Sequence, residues 1–277
     1  MTATVNIVGA GKVGRVFGRL LGASGRFAVQ DVLARSQASA DEACLFIGAG
    51  RALCEIAALR PADLWVLAVG DDQIGAVCAQ LAQSVALKGS VMFHCSGARA
   101  ATELQAAAAG GAFTASVHPI RSFADPAQVA AHFEGTFCGI EGDARALAVL
   151  GPALSSIGAR SVALDAGAKT VYHAASVFAS NYLVTLLDAA LRAYQAAGIA
   201  EDVAREMAAP LATETLANVL RLGPAAALTG PIARGDMDTV ARQQAALAAW
   251  DAPTGALYQA LAEATLPLAR RAPHHKS

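Results

Sequence analysis

The sequence predicts an α/β protein: a doubly wound parallel sheet followed by an all-helical domain. Three observations carry this reading. Over residues 1–165 short apolar runs alternate with alanine-rich helical stretches, and strand–helix alternation builds a parallel sheet covered on both faces. Several runs, residues 64–69 above all, are continuously apolar and end in polar or glycine residues, the pattern of a strand buried on both faces. Near Asp165 the alternation stops and helical patterns continue. The domains are therefore drawn as 1–165 and 166–277.

In order, residues 5–8 read as a strand, followed by a glycine turn and a helix over 13–21. Residues 27–34 form the second strand and 41–48 a helix, while 49–60 give no clear pattern. Strands at 64–69, 90–94 and 112–117 alternate with helices at 74–87 and 102–109. Strands at 136–140 and 160–164 flank a helix over 143–157. In the second domain one long helix over 169–197 ends at Gly198 and spans roughly 40 Å. Helices over 201–221, 237–249 and 254–271 follow.

Composition excludes several classes. A chain of 277 residues, 55% hydrophobic and 16% charged, is not disordered. A formal net charge of −1 gives no electrostatic case for nucleic acid or an anionic membrane as partner. Cys44, Cys54, Cys78, Cys95 and Cys138 are odd in number and include no Cys-x-x-Cys pair. That argues against a disulfide framework or a zinc site and for a reducing cytoplasm. The N-terminus enters a strand at once, so no signal peptide is expected. The most apolar long stretch, 174–191, is interrupted by Ser176, Ser180, Asn181, Thr185 and Asp188, as in a buried helix of a soluble protein rather than a membrane span. Two histidines in the tail, His274 and His275, make a poor case for a metal, and none is expected.

Gly9-Ala10-Gly11-Lys12-Val13-Gly14 fits G-x-G-x-x-G between a strand and a helix. In that setting Gly9 permits the tight turn, Gly11 lets a pyrophosphate approach the backbone, and Gly14 lets helix pack on strand. Lys12 and Val13 begin the helix whose free N–H groups and positive end favour phosphate. Val69 and Gly70, at the end of another strand, complete the expected cofactor site. Enzymes that use NAD place an acid at the end of the second strand. Asp31 stands near that position, but the strand register puts it inside the strand, and Arg35 and Ser36 at its end face a 2′-phosphate. NADP is favoured; NAD is the alternative.

Ligands of open α/β sheets sit beyond the carboxyl ends of the strands. Hydride transfer to a C=O or C=N also needs a proton donor there. His118, stiffened by Pro119, has that chemistry, with a loop-shaping histidine as the alternative. Ser96 can bind substrate or cofactor, or be a turn serine. His94 reads as structural and Cys95 as a small buried hydrophobe. Lys169, His173 and Asn181 recur at helical spacing, flanked by Tyr172, Ser180 and Thr185. Such groups inside an apolar helix suit a cleft or a satisfied interface. Residues 229–236 are either a helix junction or a site in which Arg234 clamps an anionic substrate and Asp236 orients it.

The glycine turn, His94-Cys95-Ser96-Gly97, His118-Pro119-x-x-Ser122-Phe123, Lys169-x-x-x-His173, Ser180-Asn181-Tyr182 and Thr229-Gly230-Pro231-x-x-Arg234-Gly235-Asp236 together resemble the Rossmann-like proteins with a DUF2520 C-terminal domain. Members of that group are often labelled NADP oxidoreductase, coenzyme F420-dependent; nothing in the residues identifies a site for F420. The resemblance implies a Rossmann domain and a second domain like that of 6-phosphogluconate dehydrogenase and pyrroline-5-carboxylate reductase, often a dimerisation unit. In β-hydroxyacid dehydrogenases a serine placed like Ser96 holds substrate, and a lysine placed like Lys169 is catalytic; His173 stands where those enzymes have asparagine. Asn181 is similar to an asparagine of ketopantoate reductase, and His118-Pro119 to the His-Pro of prephenate dehydrogenases.

Together these residues point to an NADP-dependent oxidoreductase acting on a small carbonyl, imine or hydroxyacid between the domains. Lys169 or His118 would supply the proton, and Ser96, His173 and Asn181 would orient the substrate. The alternative is an NADP(H)-binding sensor or scaffold without turnover. The alanine-rich helical domain predicts a homodimer.

Overall fold

The computed structural model describes residues 2–271. The tail histidines, His274 and His275, lie outside the described residues. The chain forms two compact units, Met1–Ser180 and Asn181–Ser277.

The first unit contains β1 (Ala3–Val8), α1 (Lys12–Ala23), β2 (Phe27–Leu33), α2 (Gln37–Ile47), β3 (Arg51–Leu53), β4 (Leu64–Leu67), α3 (Ile74–Ser84) and β5 (Val91–His94). It continues with α4 (Gln105–Ala109), β6 (Phe113–Pro119), α5 (Pro126–Ala131), β7 (Phe137–Gly142), α6 (Ala144–Ser156), β8 (Arg160–Ala163) and α7 (Lys169–Ala179). The strands form one sheet in the order β3-β2-β1-β4-β5-β6-β7-β8. β7 runs antiparallel to β6, and the other pairs are parallel. The central strands β4 and β5 are buried along their whole length, as their unbroken apolar sequence requires. One core lies around Phe17, which meets Phe93 and Phe133 edge to face. A second surrounds Trp65, Leu81 and Met92.

The sheet carries one irregularity with a visible cause. Between Val5 and Asn6 the β1–β2 register shifts by one residue. The fully buried Asn6 side chain fills the gap: its Oδ1 accepts the Asp31 amide at 3.1 Å, and its Nδ2 donates to the Arg60 carbonyl at 2.7 Å. Such a bulge leaves one residue unpaired, and the polar groups it frees must find partners.

The structure differs from the sequence reading in several places, and its compact units divide after Ser180 rather than at 165. β3 lies within the stretch that gave no clear pattern, and α5 was not anticipated; both are too short for a periodic signal. α2 starts at Gln37, four residues before the expected helix, because Ser36 caps it by accepting the Ser39 amide. The long helix expected over 169–197 is two helices, α7 and α8 (Asn181–Ala196), separated at Ser180 by non-helical dihedrals (φ −129°, ψ −73°). Neither Gly nor Pro marks that break.

In the second unit α8 is followed by α9 (Glu201–Leu222), α10 (Pro224–Ala227), α11 (Met237–Trp250) and α12 (Ala252–Arg270). α11 and α12 pack closely where Gly255 meets Ala248; a Cβ on Gly255 would lie 2.6 Å from the Ala248 Cα. Much apolar surface stays open, including Leu211, Leu220, Met207 and Trp250. By length and composition the stretch Ala166–Ala196 could also cross a membrane, and its apolar window is not buried.

Candidate functional site

β1 is flanked by β2 on one side and β4 on the other, so the strand order reverses there, and a crevice opens at such a point beyond the carboxyl ends. A cavity of about 770 Å³ occupies it, lined among others by Gly9, Gly11, Arg15, Arg35, Val69 and Gly70. The three glycines of the turn have separate reasons. Gly9 has φ +106°, and a Cβ there would lie 2.3 Å from the Ala68 carbonyl oxygen. A Cβ on Gly14 would lie 2.0 Å from the Gly9 oxygen. Gly11 has ordinary dihedrals (φ −72°), and a Cβ there would meet nothing within 4 Å. The fold therefore requires Gly9 and Gly14, while Gly11 keeps open space at the mouth of α1. No side chain caps that helix, so the N–H groups of its first turn face the space. A dinucleotide's diphosphate fits this donor set.

Of the other expected cofactor residues, Arg35, Val69 and Gly70 line the cavity. Val13 is part-buried against the core. Lys12 is exposed, and its Nζ donates to the Ala124 carbonyl at 2.8 Å. Ser36 serves as the α2 cap, and Ser39 instead reaches the cavity lining.

Asp31 lies inside β2, fully buried, with Arg60 Nη2 at 2.6 Å and Arg51 Nε at 3.0 Å. Burial alone would raise its pKa. Hydrogen bonds from the Arg60 side chain and amide, with Arg51, outweigh that and hold the carboxyl below its ordinary range. Its charge is spent within the sheet on Arg51 and Arg60.

A second group of polar side chains gathers at the ends of β5 and β6 and the start of α7. Asp71 Oδ2, between the cavity-lining Gly70 and Asp72, accepts the Ser96 hydroxyl at 2.7 Å. Ser96 Oγ in turn accepts the amides of Ala98 and Arg99, at 3.2 and 3.0 Å. Its hydroxyl is thus committed to shaping the turn. His94 is structural, as the sequence indicates: its Nδ1 accepts the Ser96 amide and its Nε2 bonds the Ala100 carbonyl. Burial first, and the nearby Lys169 charge, push it down to about 4, against the pull of that carbonyl.

Lys169, 1% exposed, is the most deeply buried cation here. Its Nζ donates to Ser116 Oγ at 2.5 Å and to the Ser96 carbonyl at 3.2 Å, with Glu141 Oε1 at 3.8 Å. Burial lowers its pKa, and Glu141 and Asp71 offset part of that. The ammonium ties together β6, β7 and the turn after β5.

His118 Nδ1 lies 2.9 Å from the Tyr172 hydroxyl, and its ring meets His173 edge to face at 5.5 Å. Burial, then His173 and Lys169, lowers His118 to about 4. His173 Nδ1 is buried with no hydrogen-bond partner among the described residues. Both imidazoles press on Gly97, where a Cβ would lie 2.4 Å from His173 Nδ1 and 2.8 Å from His118 Nε2.

The sheet unit therefore brings together Ser96, His118, Lys169 and His173. Asn181 opens α8 in the second unit and is exposed. Residues 229–236 lie between α10 and α11, where Asp236 caps α11 through the Thr239 amide and Arg234 is exposed. Sequence reasoning missed Ser116 and Glu141. Their signal was a polar residue at a buried position within an apolar strand.

Comparison with known proteins agrees with this architecture. No curated protein matches the chain. A protein from Bacteroides fragilis provisionally assigned as an NADP oxidoreductase shares the fold at 21% identity, with TM-score 0.81 over 96% of this chain and 98% of its own. A protein from Thermotoga maritima does so at 24% identity, with TM-score 0.73 over 96% and 98%. A reductive aminase from Aspergillus terreus in complex with NADPH does so at 16% identity, with TM-score 0.68 over 96% and 94%. Residues 2–119 match the model of the Rossmann-like domain and residues 136–265 that of DUF2520, a domain of unknown function, so the chain is a Rossmann-like and DUF2520 domain-containing protein.

Proposed function

We propose that the chain is an NADP-dependent oxidoreductase that moves a hydride between the nicotinamide and a small carbonyl, imine or hydroxyacid. The carrying observation is the cavity at the reversal of strand order, with the space beside Gly11 kept clear. The reductases of like fold support a nicotinamide coenzyme in that place. NADP is favoured over NAD because Arg35 lines the cavity while Asp31 is consumed by Arg51 and Arg60.

When bound, the coenzyme supplies the hydride. The first-turn amides of α1 would hold its diphosphate and Arg35 its 2′-phosphate. The Asp71–Ser96 hydrogen bond links the cavity loop to the turn at Gly97, so the histidine pair stands next to the coenzyme loop. His118, part-buried and neutral at physiological pH, would donate to the reacting oxygen or nitrogen. Lys169, sealed behind Ser116, fixes the turn on which that donor rests. We place the protein in the cytoplasm as a homodimer through the helical unit, a reading supported by the exposed Leu211 and Leu220.

The test is loss of NADPH absorbance with a broad panel of aldehydes, ketones, oxoacids and cyclic imines. Turnover with at least one class is expected, with NADPH preferred to NADH. Tight NADPH binding without turnover across the panel would favour a sensor or scaffold instead.

A further inference from the structure

The Tyr172–His118 contact fixes more than a distance. The Tyr172 hydroxyl and His118 Nδ1 are 2.9 Å apart with the rings at 87°. A neutral imidazole carries one proton, on Nδ1 or on Nε2. If Nδ1 held it, the Tyr172 hydroxyl would be the acceptor and its own proton would need another partner. Among the described residues no other acceptor is within hydrogen-bond reach of that hydroxyl. A donor without a partner in such a place is disfavoured by the loss of its hydration. If the hydroxyl donates to Nδ1, no donor at the contact is wasted and the imidazole proton sits on Nε2. Burial raises the phenol to about 12, with Cys138 adding to that and the Gly139 amide opposing it, so the hydroxyl keeps its proton.

His118 Nε2 is the edge of the ring that faces Gly97. The other titratable groups near it are His173, whose ring packs on the same glycine, Lys169 and Asp71. Asp71 is occupied by Ser96. The buried Lys169 ammonium is the fixed charge that a cationic substrate would meet beside His118.

We infer that Tyr172 is a positioning residue that holds His118 as its Nε2–H tautomer, so that the site offers a donor and takes a carbonyl oxygen rather than a protonated iminium. This rests on the oxidoreductase reading for its substrate, and on geometry alone for its tautomer.

The experiment is a long-range proton–nitrogen correlation spectrum of the full chain with isotope-labelled histidine, at neutral pH. His118→Gln identifies the His118 signals by their disappearance. The expected result is a protonated Nε2 and a bare Nδ1 in the wild type, and in Tyr172→Phe a several-fold rise in the Nδ1–H form with NADPH affinity unchanged. A protonated Nδ1 in the wild type overturns the inference, and so does an unaltered tautomer ratio in a folded Tyr172→Phe. The wild-type spectrum decides alone if that variant does not fold. If NADPH fails to bind while Nε2 carries the proton, the oxidoreductase reading fails and the positioning role stands. If NADPH binds and Nδ1 carries the proton, only the inference fails.

Discussion

A methyl group added at Gly11 would touch nothing within 4 Å, whereas at Gly9 or Gly14 it would strike a backbone oxygen at 2.3 or 2.0 Å. The three positions of one motif therefore respond differently to the same substitution. Gly11→Ala keeps the stability of the wild type to within about 1 kcal/mol, or gains slightly by stiffening the unfolded chain. It weakens NADPH binding, because the methyl group occupies space the diphosphate needs. Gly14→Ala loses on the order of 1–3 kcal/mol or more through overpacking. Urea denaturation and NADPH titration of the two variants separate these effects; equal loss of stability in both would refute the division of labour. His94 gives a second residue-scale prediction. Its folded pKa of about 4 lies below the ordinary histidine value, so protonation favours the unfolded chain. Its contribution is complete above about pH 6.5 and is lost as pH falls toward 4, on the order of 3 kcal/mol in all. In His94→Gln the decline of stability between about pH 7 and about pH 4 becomes shallower; an unchanged slope would contradict the assignment.

At the scale of elements, Lys169 joins α7 to the sheet. Its ammonium holds Ser116 of β6, the Ser96 carbonyl and, at 3.8 Å, Glu141 of β7. Lys169→Met leaves Glu141 buried without its cation. The cost is about 3 kcal/mol, the range for removing one member of a buried pair, read as a lower denaturation midpoint at constant slope. NADPH affinity stays as in the wild type, because Lys169 is not part of the cavity lining; a large loss of affinity would show that the cavity and the lysine are coupled. Sequence reading picked out Lys169 and His173 by helical spacing but not what holds them. Ser116 and Glu141 lie 53 and 28 residues away along the chain, and pairing at such separation is set by strand order, which local pattern does not encode. The same limit explains β3 and α5, each too short to show a period, and the break at Ser180, which no Gly or Pro announces. Asp31 was legible because its place inside an apolar run fixed its register before any partner was known.

At the scale of the molecule, the order of elements in the first unit was legible because each central strand is an uninterrupted apolar run between turn residues. The glycine turn was legible for the same reason: its strand, turn and helix are contiguous in sequence. What sequence could not supply was the gathering of Asp71, Ser96, Gly97, His118 and Tyr172, which belong to three different strand ends and a helix. Those contacts join the cavity loop to the His118–His173 pair, and the proposed chemistry depends on the cavity first. Isothermal titration of ligand-free protein with NADPH and with NADH tests it most directly. Saturable binding at one site per chain is expected, tighter for NADPH and weakened in Arg35→Ala. Absence of saturable heat with both coenzymes would contradict it.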